Sequence, residues 1–285
     1  MKSSSVNIKA LTRGILECDN KVWQTASDTP ISYPESGNAD CLQIEEKSYW
    51  FQHRNDVLRT LLQTHTSKTE SAFFVDIGGG NGFQANAIQK MGIETILIEP
   101  GLTGCINARD RGVDYVLNCT LEDSGILDCS IPMAGAFDVV EHIENDAIFL
   151  NTVFQKLKIN GLFYMTVPAI QSLWSEEDTY AGHFRRYSLK TATGALLKAG
   201  FEIEFASYFF RPLVLPIFLL RAVPYRLGMR NAVSLDTTAR EHTLPDSIAG
   251  NWIKNGLARE LRKLSRNKTQ RTGTSIIIVG RKPAT

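Results

Sequence analysis

The stretch Phe73–Phe83, FFVDIGGGNGF, constrains this chain more than any other. Its apolar start (Phe73, Phe74, Val75, Ile77) reads as a buried parallel strand, the glycines as a tight turn, and Phe83 to Met91 as a helix closed by Gly92. Strand, turn and helix in that order begin an open α/β sheet. Gly78, Gly80 and Gly82 permit left-handed dihedrals and let backbone approach a ligand that a Cβ would exclude. For the glycines alone, the alternative is a turn that only reverses the chain.

Spacing narrows the ligand. A loose G-x-G-x-x-A, formed by Gly80, Gly82 and Ala85, admits a dinucleotide site and hence an NAD-dependent oxidoreductase. The fuller pattern is D-x-G-x-G-x-G, on Asp76, Gly78, Gly80 and Gly82. An acid closing the strand suits a ligand with positive charge near the loop and repels a pyrophosphate. A second apolar strand, Thr95 to Ile98, ends in Glu99, whose carboxylate can accept both hydroxyls of a ribose.

On these residues the chain resembles the class I S-adenosylmethionine-dependent methyltransferases. The resemblance implies a Rossmann-like α/β fold: a seven-stranded, mostly parallel sheet with helices on both faces and the last strand (Thr274 to Gly280) antiparallel beside the sixth. It implies S-adenosyl-L-methionine as cofactor and S-adenosyl-L-homocysteine as product. The methionine part then falls on Asp76, Gly78, Gly79, Gly80 and Gly82, and the ribose on Glu99 with Pro100 beside it. The adenine falls on Leu121 and Glu122, and Asp138 lines the pocket.

Ahead of the glycine turn, Trp50, Arg54, Val57, Leu58, Leu61 and Leu62 recur at helical spacing and place Arg54 on the apolar face. A guanidinium there needs an anion: an internal acid such as Asp56 or Glu70, or the cofactor's carboxylate. The tract Tyr49–Asn55 resembles one found in methyltransferases of carbohydrate and lipid-linked glycan pathways, as does Gly182–Tyr187.

The fourth strand, Ala134 to Val140, leads into Asp138-Val139-Val140-Glu141-His142, where open α/β sheets place ligands. His142 is a candidate base for a hydroxyl acceptor, or else caps the following helix or packs beside the cofactor. After the fifth strand, the polar and aromatic tract 173–187 supplies His183 and Tyr187 as further candidate bases and Trp174, Arg185 and Arg186 as acceptor contacts. Paired arginines suit an anionic acceptor through bidentate forks, or form surface ion pairs with Glu176, Glu177 and Asp178.

The expected organisation is an N-terminal extension (1–44), a cofactor-binding domain (45–208 with 274–285) and a helical insert (209–273). The insert combines an apolar stretch with a basic helix in which Trp252, Leu257, Leu261 and Leu264 share a face. It is read as a lid, a homodimer contact, or an element for anionic membrane surfaces, and thus peripheral at the inner surface. With 285 residues and a net charge of +1, nothing global points to nucleic acid, although a nucleic-acid methyltransferase using the basic helix stays open. Five scattered cysteines and five scattered histidines without ligand spacing predict a reduced, cytoplasmic chain without a metal site. The first residues lack a signal-peptide core, and no apolar run reaches the roughly 18 residues of a membrane span. The acceptor expected is a small molecule: a saccharide, glycolipid or other anionic metabolite.

Overall fold

Seven apolar runs become strands at or near the predicted places, the fourth three residues early (Ile131–Phe137 against Ala134 to Val140, because the chain leaves the sheet at Asp138), and two short N-terminal segments join them in one sheet. The structure, a computed structural model, describes residues 6–14, 17–19, 22–24, 37–66, 73–229, 242–244 and 246–284. The strands are β1 (Glu17–Asp19), β2 (Val22–Gln24), β3 (Phe73–Ile77), β4 (Glu94–Ile98), β5 (Tyr115–Asn118), β6 (Ile131–Phe137), β7 (Leu157–Pro168), β8 (Glu202–Phe209) and β9 (Ser275–Arg281). They lie in the order β1-β2-β5-β4-β3-β6-β7-β9-β8. The sheet thus has nine strands rather than the expected seven. β2 runs parallel along the outer edge of β5 and β1 folds back antiparallel on β2. Strands of three residues on an edge need only backbone pairing, so they leave no alternating pattern to read. As the resemblance implies, β9 is antiparallel to both β7 and β8.

The helices are α1 (Ile8–Leu11), α2 (Gly37–Glu45), α3 (Tyr49–His65), α4 (Phe83–Gln89), α5 (Leu102–Asp110), α6 (Asp146–Lys156), α7 (Glu176–Tyr180), α8 (Leu189–Lys198), α9 (Val214–Ile217), α10 (Val223–Arg226) and α11 (Ile248–Leu264). Alternation along β3 feeds both faces of the sheet. Phe73, Val75 and Ile77 pack with Leu150 and Val153 of α6 and Leu196 of α8. Phe74 packs on the other side with Leu58 and Leu61 of α3, Ile88 of α4 and Leu257 of α11. The chain steps outward from β3 through β4 to β5, then returns to place β6 on the other side of β3. That reversal leaves a crevice at the carboxyl ends of β3 and β6.

The C-terminal helical segment is tied to the sheet by one buried carboxylate. Glu260 of α11 accepts from the Phe210 amide (2.7 Å), the Arg211 amide (2.9 Å) and Gln270 Nε2 (3.1 Å), and bonds His53 Nε2 (3.0 Å). Phe210 takes a left-handed conformation (φ 59°), so this carboxylate fixes the bend where β8 turns into the helical segment. Leu257 and Leu264 are buried as their spacing predicts, but Trp252, on the same face by sequence, is 62% exposed. It lies two turns before Glu260, beyond the reach of the sheet.

Glu260→Ala is expected to strand the buried Phe210 amide, and with it the part-buried Arg211 amide, and to destabilise the fold by about 3 kcal/mol. The urea midpoint measures this, and Arg262→Ala on the exposed side of α11 is expected to leave it unchanged.

Candidate active site

The glycine turn sits at the crevice. Gly78 (φ 68°) and Gly80 (φ 52°) are left-handed, and the amides of Gly78 and Gly79 both donate to the Ile98 carbonyl (2.8 and 3.2 Å). A Cβ on Gly78 would lie 2.7 Å from Val139 Cγ2. The turn therefore keeps bare backbone against a cavity of about 1180 Å³. Gly82, also left-handed, does not line that cavity. It begins α4, where a Cβ would meet Ala108 (2.8 Å) and Val113 (2.9 Å), so its part is to seat α4 against α5. A G-x-G-x-x-A dinucleotide fingerprint is thereby disfavoured, since its second glycine serves packing.

Asp76 lies beneath the turn, fully buried, with neither carboxylate oxygen in a hydrogen bond of ordinary geometry among the described residues. Burial pushes its pKa up to about 7; Glu99 adds to the rise, while Arg54 and the Ala85 amide oppose it. Glu99, at the end of β4, holds both oxygens in place: Oε2 accepts from the Gly80 amide (2.9 Å) and Oε1 from the Gly101 amide (2.7 Å). Burial raises its pKa too, against the lowering effect of those amides and of Asn38. Each oxygen keeps a second lone pair for a diol. Pro100, Leu121 and Glu122 line the same end.

α2 closes that end from outside the sheet. Asn38, Cys41 and Glu45 line the cavity, and Asn81 Nδ2 donates to the Asn38 carbonyl (2.7 Å) and to Glu45 Oε1 (3.1 Å). The sequence gives no warning of this, because residues 1–44 carry mixed segments without a strong period.

At the opposite end, β6 finishes in Asp138, a non-glycine residue with φ 57°, a strained conformation of the kind that gathers at functional sites. Its Oδ2 forms an ion pair with Arg54, and its Oδ1 accepts from Thr166 Oγ1 (3.0 Å). Arg54 also lies 5.0 Å from the centre of the Phe51 ring, and the Gln84 amide, turned so that its oxygen faces the guanidinium, accepts from Arg54 Nε (2.9 Å). Among the described residues the internal acid that Arg54 meets is therefore Asp138 and not Asp56, the alternative Glu70 lying outside the described residues, and the guanidinium still lines the cavity.

Beyond Asp138, the 3₁₀ turn Val140–His142 presents Glu141 and His142 to the cavity. The helix-capping alternative for His142 falls away: α6 is capped by Asn145, whose side chain accepts from the Ile148 amide (3.3 Å). Burial, reinforced by His183, lowers the His142 pKa to about 4 against Asp138 and the Ala181 backbone, so the ring is neutral at pH 7 and a weak base. Burial and Asp138 hold the Glu141 carboxyl well above its ordinary range, against Arg54 and Arg186. His183 joins this group from the tract after β7, its ring 4.7 Å from that of His142 and edge-on to it. His242, which no sequence pattern singles out, also lines the cavity and bonds Ser48 Oγ through Nδ1 (2.6 Å).

Three expected acceptor residues lie elsewhere. Tyr187 is in the core and its hydroxyl donates to Asp146 Oδ2 (2.7 Å), a carboxylate contact that with burial drives its pKa up; it is no candidate base. Arg185 reaches the same Asp146 (3.1 Å) and the Glu144 carbonyl (2.6 Å). The Trp174 indole donates to Thr179 Oγ1 (3.3 Å), and neither it nor Arg185 lines the cavity. Arg186 does line it, but its Nε is spent on Asp178 (2.8 Å) and its Nη1 on the Ala169 carbonyl (3.1 Å). The polar tract is thus largely self-paired, which removes the paired-arginine argument for an anionic acceptor.

No family model matches the chain. It is 25% identical over 179 residues to a protein of Mycolicibacterium smegmatis named as a probable S-adenosylmethionine-dependent methyltransferase, a match spanning 61% of this chain and 68% of that one. In fold it is similar to the methyltransferase seen in complex with the Haloferax volcanii Trm112 methyltransferase activator: TM-score 0.55, 14% identity, 88% of this chain and 95% of that one. It is also similar to Haemonchus contortus phosphoethanolamine N-methyltransferase 2, seen with phosphomonomethylethanolamine and S-adenosylhomocysteine: TM-score 0.54, 15% identity, 89% of this chain and 58% of that one. The sequence likeness and the shared fold agree on the class, an S-adenosylmethionine-dependent methyltransferase with a Rossmann-like class I sheet and S-adenosylmethionine as cofactor.

Asp76 yields a pH prediction. Its folded pKa lies above the ordinary 3.8, so the folded state binds the extra proton and stability falls as pH rises from about 4 to about 7. Asp76→Asn is expected to remove this contribution, up to about 4 kcal/mol above pH 7, making the ligand-free protein more stable there. Thermal melts of both proteins from pH 4 to 8 check it; parallel curves would contradict it.

Proposed function

We propose that this protein transfers the methyl group of S-adenosylmethionine to a hydroxyl of a small amphipathic acceptor, a saccharide carrying an apolar portion or a glycolipid. The observation that carries the reading is the continuity of one cavity. It runs from the Glu99 carboxylate, past the bare Gly78–Gly80 backbone, to Glu141, His142 and His183, and on to Leu213, Ile217 and Leu220. At about 1180 Å³ it exceeds the roughly 300–1,000 Å³ of a single small-molecule site, so cofactor and acceptor fit end to end.

The residues suit the cofactor. Glu99 would hold the ribose diol, Leu121 and Glu122 the adenine end, and the glycine turn above Asp76 the cationic methionine part. When bound, the cofactor supplies a methyl group on a sulfonium carbon, open to in-line displacement. The chain's contribution is positioning in a dry site, a source of about 7–11 kcal/mol in well-oriented reactions. Arg54, fixed by Asp138, orders the wall between the two ends.

The segment 209–273 serves this reading as a lid on the acceptor end. Leu213, Ile217 and Ile253 line the cavity and Leu220 stands at its open rim, 70% exposed, while Leu215, Leu219, Leu227, Ile248 and Trp252 are also more than half exposed. An apolar outer face beside the basic side of α11 suits a surface of anionic lipid, from which a lipid-linked acceptor would enter. No helix among the described residues is long and apolar enough to cross a membrane.

Calorimetric titration tests the reading. S-adenosylmethionine and S-adenosylhomocysteine are expected to bind and NAD not to; Glu99→Ala is expected to weaken the first two at least 10-fold. Binding of NAD, or equal affinities in the variant, would overturn it. Separately, the protein is expected to co-sediment with phosphatidylglycerol vesicles at low salt and less so after Trp252→Ser with Ile248→Ser.

A further inference from the structure

The acceptor end of the cavity gathers three metal-type donors from two distant segments. The Glu141 carboxylate and the His142 and His183 imidazoles each present a ligand atom within 4.8 Å of the other two. Their separation in sequence hides the group: His183 stands 41 positions after His142, and no ligand-spacing motif spans that gap. The Phe184 amide donates to the Glu141 carbonyl (2.8 Å), which stitches the two segments together.

Two further features point to a cation. Glu141 is fully buried and neither carboxylate oxygen has a hydrogen-bond partner of ordinary geometry among the described residues, although the side chain lines the cavity. Such a carboxylate is costly unless it meets a proton or a cation. The neighbouring acid, Asp138, is already committed to Arg54 and Thr166. His183 Nδ1 meets Asp178 Oδ1 at 2.8 Å, which leaves Nε2 as the ligand atom. Asp178 is itself held by Arg186 Nε (2.8 Å) and the Ser175 amide (3.0 Å). A buried carboxylate orienting an imidazole through its far nitrogen is the outer-shell arrangement that metal-binding histidines require.

We propose that Glu141, His142 and His183 bind one divalent transition-metal ion at the acceptor end of the cavity. Two imidazoles and a carboxylate suit Zn²⁺, Mn²⁺, Fe²⁺ or Co²⁺, whereas Mg²⁺ and Ca²⁺ favour oxygen ligands throughout. Ligand bonds of about 2.0–2.2 Å place neighbouring donors about 3–3.5 Å apart, so the three side chains close by roughly an ångström on binding. The remaining coordination positions face the cavity, where an acceptor oxygen completes the shell. The ion would lower the pKa of that hydroxyl, whose proton would pass to water and leave the oxygen as the nucleophile. This role, though not the metal site itself, rests on the methyltransferase reading, and it narrows the acceptor to an oxygen nucleophile.

The test is metal binding by chelator-treated full-length protein, with Zn²⁺ followed by calorimetry and Co²⁺ by its visible absorption bands. One equivalent is expected to bind. Glu141→Gln and His183→Ala are each expected to weaken binding by 100-fold or more, and Asp178→Asn by about 10–100-fold. Absence of stoichiometric binding to the unaltered protein overturns the proposal, as does binding that both ligand variants retain. S-adenosylhomocysteine titrated into the same samples separates the two ideas. Its binding by the variants shows that they are folded, while its failure to bind the unaltered protein counts against the methyltransferase reading and leaves the metal site standing.

Discussion

The reversal of strand order beside β3 is the constraint on which the rest of this molecule depends. Because β4 and β6 flank β3 and their connections leave in opposite directions, a crevice opens at the carboxyl ends of these strands. Asp76, Glu99 and Asp138 are the residues at or next to those ends, so chain topology alone brings three acids from three strands to one crevice. The glycine turn keeps the crevice open, since any Cβ on Gly78 would close on Val139.

That crevice is electrostatically unbalanced. Asp76, Glu99 and Glu141 are buried and shifted toward the protonated form, and burial is the first cause in each case. Arg54, which opposes the shift at Asp76 and Glu141, is itself engaged by Asp138. Two backbone amides at 2.7 and 2.9 Å hold Glu99, whereas the backbone contacts of Asp76 and Glu141 do not offset their burial. A low-dielectric site with more acids than cations is complementary to positively charged ligands, and it places that preference at both ends. A sulfonium-bearing cofactor over Asp76 and a metal ion at Glu141 answer the same imbalance at different points.

The sequence discloses the parts of this fold that depend on local pattern. Strands buried on both faces are continuous apolar runs, the glycine turn is contiguous, and Glu99 closes a strand that ends in plain view. What it hides depends on distance along the chain. Nothing near Arg54 marks Asp138 as its partner, 84 residues away, and nothing near Glu141 or His142 points to His183. The dense polar tract 173–187 misleads for the converse reason: Arg185 and Arg186 look like acceptor contacts and Tyr187 like a base, yet Asp146 and Asp178 engage all three. α2 and His242 reach the cavity from segments whose composition carries no signal.

A crystal structure of the protein soaked with S-adenosylhomocysteine would test the central claim most directly. The account predicts the ribose hydroxyls on the two Glu99 oxygens, the amino-acid part against the Gly78–Gly80 backbone, and the sulfur turned toward Glu141, His142 and His183. Density that leaves Glu99 without a ligand contact, or that places the sulfur away from this group, would contradict it.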